Sequence, residues 1–205
     1  MKSELIIEKM KNHTPSILGN QALTQYSILL PLITIDGELH LLFEVRSLHM
    51  RRQPGEICFP GGKVDARDKM AQAAAIRETK EELGIYDQDI EHVFPFDYMI
   101  SPFGMMVSTY VGFLNCDESC IQSNPDEVEE VFTVPLAFFK ESEPQIHYVN
   151  FEVKPQDDFP FDLIANGEDY QWQTRQMEEY FYIYEGRVIW GLTARVLNAF
   201  VEMIR

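Results

Sequence analysis

Cysteine is scarce in this chain: Cys58, Cys116 and Cys120 are the only three among 205 residues. Three thiols do not make the disulfide framework of a small secreted scaffold. Cys116 and Cys120 also lack the spacing and partners of a zinc site. Long apolar runs are missing, none approaching the ~20 residues that span a bilayer. The first residues mix Lys, Glu and Ile without the apolar core of a signal peptide. The expectation is a cytoplasmic protein that engages no membrane. Positive charge is in short supply as well. Lys and Arg number 17 against 33 Asp and Glu, a net charge of −16. That balance argues against general binding to nucleic acid or anionic lipid.

What positive charge exists is clustered. Eight of the 17 basic residues fall between Arg46 and Lys80, with only four acids, Glu56, Asp65, Asp68 and Glu78. The window is therefore +4, and the rest of the chain carries −20 (−16 minus +4). A basic patch on an acidic body suits a small phosphorylated ligand. Apolar content of 45% and charged content of 24% fit a globular protein. The length fits one domain over residues 1–205 with terminal additions.

Local patterns read as α/β. A short helix is expected within residues 1–12. Tyr26–Ile35 and Glu38–Val45 read as strands around Asp36-Gly37, a strong hairpin signal. Ile57–Phe59 reads as a short strand and Lys69–Leu83 as a helix. Ile90–Ile100 and Met105–Leu114 flank a Ser101–Gly104 turn. Glu127–Val134 alternates as a strand, Leu136–Lys140 is a short helix, and Ile146–Val153 alternates again. Residues 155–174 read as a lid or insertion. Tyr180–Tyr184 is a strand, and Val188–Ile204 the last helix.

The chain is organised around Arg77-Glu78-Thr79-Lys80-Glu81-Glu82-Leu83-Gly84-Ile85. Ala71–Ile76 leads into it with good helix formers, and Gly84 stands where a left-handed cap would stop the helix. Glu78 is three residues from Glu81 and four from Glu82, so all three can share a face. The plain alternative is a solvated acidic face. What precedes the helix favours a site. Phe59-Pro60-Gly61-Gly62 ends a strand in paired glycines, where backbone can approach a ligand closely. A hard cation bound to the glutamates could then hold a phosphate beside backbone N–H groups.

These residues resemble the Nudix box, whose second half reads R-E-U-x-E-E-x-G-U with U apolar. Thr79 departs at the first U, and the spacing of the first half also departs. Counting from Gly62 puts Asp68 in the acidic position, one residue further from Arg77 than the usual box. Phe59-Pro60-Gly61-Gly62 with Asp65 and Asp68 is similar to the coenzyme A pyrophosphatase branch. So are Leu41-Leu42, Arg46-Ser47, Arg51 and Gly55-Glu56 upstream. Weaker likeness continues in Asn124–Val128 and Ile189–Ala194.

The resemblance implies an α/β/α sandwich around a mixed sheet. It implies hydrolysis of the diphosphate of coenzyme A or a derivative, dependent on Mg²⁺ or Mn²⁺. Alternatives are hydrolysis of ADP-ribose or a dinucleotide, and a non-catalytic ligand sensor of the same fold. Glu78, Glu81 and Glu82 are expected as metal ligands, with Glu81 the general base and Glu127 or Glu130 its rivals. Arg77 is expected to orient Glu81. Arg46, Arg51 and Arg52 are expected on phosphate, and Gly61 and Gly62 to shape the loop. Tyr98 and Phe103 are weighed as adenine stackers against a place in the core, Trp190 as packing, and His49 as solvated. The expected partner is a small molecule, and a homodimer is left open.

The register makes a prediction. Lys69→Ala should be near neutral, whereas Asp68→Ala should lower activity or stability, measured by turnover and thermal melting. The reverse result would shift the box by one residue.

Overall fold

A computed structural model describes residues 3–205; Met1 and Lys2, part of the helix expected at 1–12, lie outside the described residues. The helix itself is α1 (Ser3–Lys11). No helix among the described residues is long and apolar enough to cross a membrane.

β1 (Thr24–Ile35) and β2 (Glu38–Arg46) form the expected hairpin. Asp36 and Gly37 have φ of 50° and 85°, the left-handed pair that a tight primed turn requires. The two strands stay paired only from Ile35–Glu38 to Leu32–Leu41 and then separate. The returning chain fills the fork. β3 (Ile57–Cys58) pairs with Glu44 and Val45 of β2, and β4 (Gly61–Lys63) pairs with Tyr26–Ile28 of β1. Phe59 and Pro60 cross between them. Phe59 is buried and stacks on Phe43 at 4.8 Å, while Leu29 N donates to Pro60 O at 3.0 Å.

β5 (Ile90–Ser101) and β6 (Met105–Leu114) extend the sheet on the far side of β1, and β7 (Val128–Pro135) pairs with β2. β6 runs parallel to β1, so the sheet is mixed. Alternation sorts its side chains. Leu30, Leu32, Leu41 and Phe43 pack with Phe139 of α3 (Leu136–Glu141) and Leu197, Phe200 and Val201 of α4 (Gly191–Ile204). On the other face Ile33 and Leu42 meet Leu83, and Leu29 meets Ala75, both from α2 (Ala71–Leu83). The α/β/α sandwich is thus present. A second sheet of β8 (Gln145–Phe151), β9 (Arg175–Tyr184) and β10 (Arg187–Trp190) stands beside it.

Three expectations need correction. Residues 69 and 70 precede α2: Met70 is its N-cap, and no side chain caps it. Asp68 instead accepts a hydrogen bond from Asp65 N at 2.9 Å. Gly61 and Gly62 lie in a strand rather than a loop, because the fork offers the open edge of β1. Residues 187–190 form β10 before the last helix begins, since Glu185-Gly186 closes a second hairpin with β9. Residues 152–174 contain two short 3₁₀ turns. Their aromatics pack on one another, Phe159 with Phe161 and Trp172 and Tyr170 with Trp172, at 4.9–5.6 Å.

Gly84 ends α2 as expected, at φ 65° with its N–H on Lys80 O. The loop after β6 closes over it: Gln122 N donates to Leu83 O and Asn124 N to Glu82 O. A Cβ at residue 84 would lie 2.1 Å from Gln122 O. Gly84→Ala should therefore destabilise by about 2 kcal/mol or more, from left-handed strain and the backbone clash together. Chemical denaturation measures it, and a change near zero would mean the loop yields freely.

Candidate active site

α2 turns a regular face to the sheet. Ala74, Ala75, Thr79, Glu82 and Leu83 are buried along it, following the i, i+3, i+4 rule. The small side chains of Ala74 and Ala75 let the helix lie close to β1. This geometry carries Glu82 inward, where it is 6% exposed. Glu82 Oε2 accepts the Gly61 N–H at 2.8 Å. Glu78, one turn earlier, rests on the next residue: a Cβ on Gly62 would fall 2.5 Å from the Glu78 carboxyl carbon. The paired glycines are thus the surface on which two box carboxylates lie. The N–H of Gly61 is given to Glu82 and is not free for phosphate.

Glu81 departs from the shared face. It points outward and is half exposed, and Arg77 contacts it at 3.3 Å. Arg77 does more than orient Glu81. Its Nε and Nη2 form a bidentate pair with Asp68 at 3.1 and 2.9 Å, and its Nη1 reaches Glu78 at 2.7 Å. Lys69 is exposed. The acidic partner that the register assigned to residue 68 is therefore the main counter-charge of the box arginine.

Glu44, which the sequence reading passed over, belongs to the same centre. It is 1% exposed. Its Oε1 accepts a hydrogen bond from the Cys58 thiol at 3.2 Å, and its Oε2 is buried without a partner among the described residues. The signal was available, because Leu41–Val45 is apolar apart from this one acid. A strand covered on both faces buries whatever it carries.

Crowding and burial act on the whole group. Desolvation raises the Glu82 carboxyl, and the charge of Glu44 adds to it, against the Gly61 N–H. Desolvation likewise raises Glu44, offset by the Cys58 thiol and Arg46, with Glu127 and Glu78 pushing it further. Glu78 is raised by desolvation and partly relieved by Arg77. Burial, then Glu44, pushes the Cys58 thiol up. Glu127 acts on Glu44, Glu78 and Glu82 alike. Asn124 Nδ2 holds its carboxylate at 3.2 Å, and Ser47 N holds its carbonyl at 2.8 Å. Glu130 is elsewhere, in a bidentate pair with Arg187 at 2.6 and 2.8 Å.

The donor set fits a hard divalent cation. It is carboxylate throughout, sheltered from water, and includes one buried oxygen with nothing to bind. Among the described residues no three His, Cys, Asp or Glu side chains already converge closely enough to enclose an ion. Arg77 holds one oxygen each of Glu78 and Glu81.

A cleft of about 1170 Å³ opens beside this centre. Gly61, Gly62 and Ile28 lie on one side with Arg46, the last residue of β2, and Arg52 of the basic loop that follows it, residues 47–56. Ser101–Phe103 and the second sheet, with Tyr148, Phe151, Arg175 and Trp190, form the other. Arg46 Nε is buried and lacks a partner among the described residues. Its backbone pairs with Gly55 and Glu56, closing the base of the loop. Arg51 is exposed and does not line the cleft, and His49 is exposed too. Phe103 is 70% exposed and lines the cleft, so it is not core; Tyr98 is 67% exposed and does not line it. Trp190 lines the cleft and stacks on Phe181 at 5.8 Å.

The Asp68–Arg77 pair gives a pH prediction. Arg77, then the Asp65 N–H, holds the Asp68 carboxyl below its usual range. A depressed folded pKa stabilises the fold above the ordinary Asp value of about 3.9, and the contribution is lost as pH falls through the folded value. By NMR, Asp68 should titrate below that ordinary value in the wild type and return toward it in Arg77→Ala. An ordinary midpoint in the wild type would mean the pair does not form.

The NUDIX domain matches residues 25–156. The peroxisomal coenzyme A diphosphatase NUDT7 of Mus musculus is 42% identical over 127 residues, which are 60% of this chain and 51% of that protein. Nudix hydrolase 3 of Caenorhabditis elegans is 35% identical over 130 residues, 60% of this chain and 52% of its own. The Nudix hydrolase NudL of Photorhabdus laumondii is 31% identical over 179 residues, 87% of this chain and 84% of its own. The chain spans about half the length of the first two relatives and most of the third. With the domain covering well over half of its residues and the glutamate helix seated on the glycine pair, the chain belongs to the Nudix hydrolase family.

Proposed function

We propose that this chain cleaves the diphosphate bond of coenzyme A or a coenzyme A derivative. The products are 3′,5′-adenosine bisphosphate and 4′-phosphopantetheine or its derivative. One observation carries the reading. The cleft that borders the glycine pair is also lined by Arg46 and Arg52, and Arg46 keeps a buried N–H without an acceptor. Beside a carboxylate centre that suits a divalent cation, such an arginine is a receptor for phosphate oxygens. The likeness to a protein named as a coenzyme A diphosphatase supports the same substrate.

Glu78 and Glu82 would hold Mg²⁺ or Mn²⁺, which when bound supplies charge neutralisation at the diphosphate and a lower pKa for bound water. Arg46 and Arg52 bind the phosphates, and Arg77 keeps Glu78 and Glu81 in place. Glu127 is better situated than Glu81 to take a proton from the attacking water. It stands among the buried carboxylates, whereas Glu81 faces solvent. Glu130 is committed to Arg187 and drops out of that role. The same proposal places the protein in a reducing compartment, in keeping with the free thiols of Cys58, Cys116 and Cys120.

The test is an Mg²⁺-dependent assay with coenzyme A, dephospho-coenzyme A and ADP-ribose, with the products resolved. Coenzyme A should be turned over with the highest kcat/KM. Faster cleavage of ADP-ribose would sink the substrate assignment. Glu78→Gln and Glu82→Gln should each lower kcat by several orders of magnitude with the fold intact. Retention of more than about a tenth of the activity, roughly 1.4 kcal/mol in barrier, would remove that residue from the centre. Arg46→Ala and Arg52→Ala should lose more with coenzyme A than with dephospho-coenzyme A, and the difference should shrink as salt is raised. Equal losses would move these arginines from the 3′-phosphate to the diphosphate.

A further inference from the structure

Glu44 stands in the middle of β2, with its side chain out of solvent and one oxygen unspoken for. A structural acceptor for the Cys58 thiol needs only one oxygen, and Oε1 fills that role at 3.2 Å. The other, Oε2, has no hydrogen-bond donor among the described residues. Arg46, two residues on, leaves its own buried Nε unpartnered rather than close on this carboxylate. Burying a carboxylate oxygen without a donor is costly, and the cost disappears when a cation becomes the partner. Carboxylate oxygens are what a hard divalent ion takes, and several of them at once.

The placement is right for that use. Alternation puts Glu44 on the same face of β2 as Leu42, and Leu42 packs against Leu83 of α2. The neighbour of Leu83 is Glu82, buried at 6% exposure and within reach of Glu44's charge. Glu44 pairs across the fork with Cys58, three residues before the Gly61 N–H that holds Glu82. The strand and the helix thus bring two buried carboxylates to the two sides of one short crossing.

We propose that Glu44 is an additional ligand of the cation site, giving its free Oε2 to the divalent ion held by Glu78 and Glu82. The Cys58 thiol fixes the rotation of the carboxylate by holding Oε1. The inference rests on the reading of that centre as a Mg²⁺ or Mn²⁺ site, and the experiment separates the two.

Mn²⁺ binding to the 205-residue chain without substrate is measured by titration calorimetry, and the Mn²⁺-induced rise in Tm by thermal melting. Glu44→Gln should weaken Mn²⁺ affinity by about tenfold or more and shrink the rise in Tm. Without metal the variant should be at least as stable as the wild type, because a buried repulsion has been removed. Glu44→Asp withdraws the carboxylate by one methylene, should lose affinity in the same direction, and serves if the Gln variant does not fold. Unchanged Mn²⁺ affinity in a folded Gln or Asp variant overturns the inference and leaves the cation site standing. No Mn²⁺ binding by the wild type overturns both.

Discussion

The hydrogen bond from the Gly61 N–H to the buried carboxylate of Glu82 at 2.8 Å is the inner joint between the two halves of the centre. On one side is a crossing strand only a few residues long, which has little pairing of its own. On the other is a helix whose inner face is mostly small side chains. The bond fixes the depth of α2 over the fork, and with it the position of Glu78 one turn away. It also explains why residues 61 and 62 are glycine. A Cβ on Gly61 would meet Ser27 O at 2.3 Å, and one on Gly62 would meet the Glu78 carboxylate. The backbone is bare here because carboxylates and a neighbouring strand occupy the space that side chains would fill. The close approach that paired glycines allow is used inside the protein as well as toward the cleft.

The parts legible in the sequence were those set by local chemistry. Asp36-Gly37 demands a hairpin, Gly84 a helix stop, and the run of alanines a helix close against something. The parts that were not legible depend on pairing between distant segments. β4 and β10 are three and four residues long, too short for alternation to announce. Both exist because an open strand edge lies alongside. Arg77 is the same case among side chains. Helical spacing reveals its contact with Glu81, but its strongest partner, Asp68, reaches it across a loop. Glu44 was legible and overlooked. Leu41–Val45 carries apolar residues at both parities and is covered on both sides, so the one acid within that run had to be buried.

Charge balance within the centre is uneven, and the unevenness has structural content. Arg77 is 18% exposed and serves Asp68, Glu78 and Glu81 together. Glu44 and Glu82 lie beyond its reach and carry the largest burial penalties in the group. The neutralised carboxylates are those nearer the surface, and the uncompensated ones are those inside. An arginine placed deeper would have quenched the charge that attracts a cation. Set at the rim, it orders the outer carboxylates and leaves the inner pair without its guanidinium, so burial pushes both toward the protonated form that a bound cation would displace.

Part of the far side of the cleft comes from beyond the domain match. The domain match ends at residue 156, yet Arg175, Trp190 and Arg195 line the same cavity as the glycine pair. Beside the packing of Tyr182 and Ile189 into the main core, polar contacts from two elements hold this wall in place. Arg187 of β10 pairs bidentately with Glu130 of β7 and lies 4.3 Å over the Phe132 ring. Thr193, in the first turn of α4, donates to Ile57 O at 3.1 Å beside the fork. The first ties the second sheet to the main one; the second ties the last helix to the crossing that carries Gly61. The carboxylate centre is therefore built wholly within the Nudix domain, while about a third of the residues that line the cleft lie outside it. Residues on that wall touch none of the box glutamates, so they can change which molecule fits without disturbing the chemistry. In a family defined by its glutamate helix, selectivity in this chain has to be sought on β8–β10 and the start of α4 as much as in the basic loop.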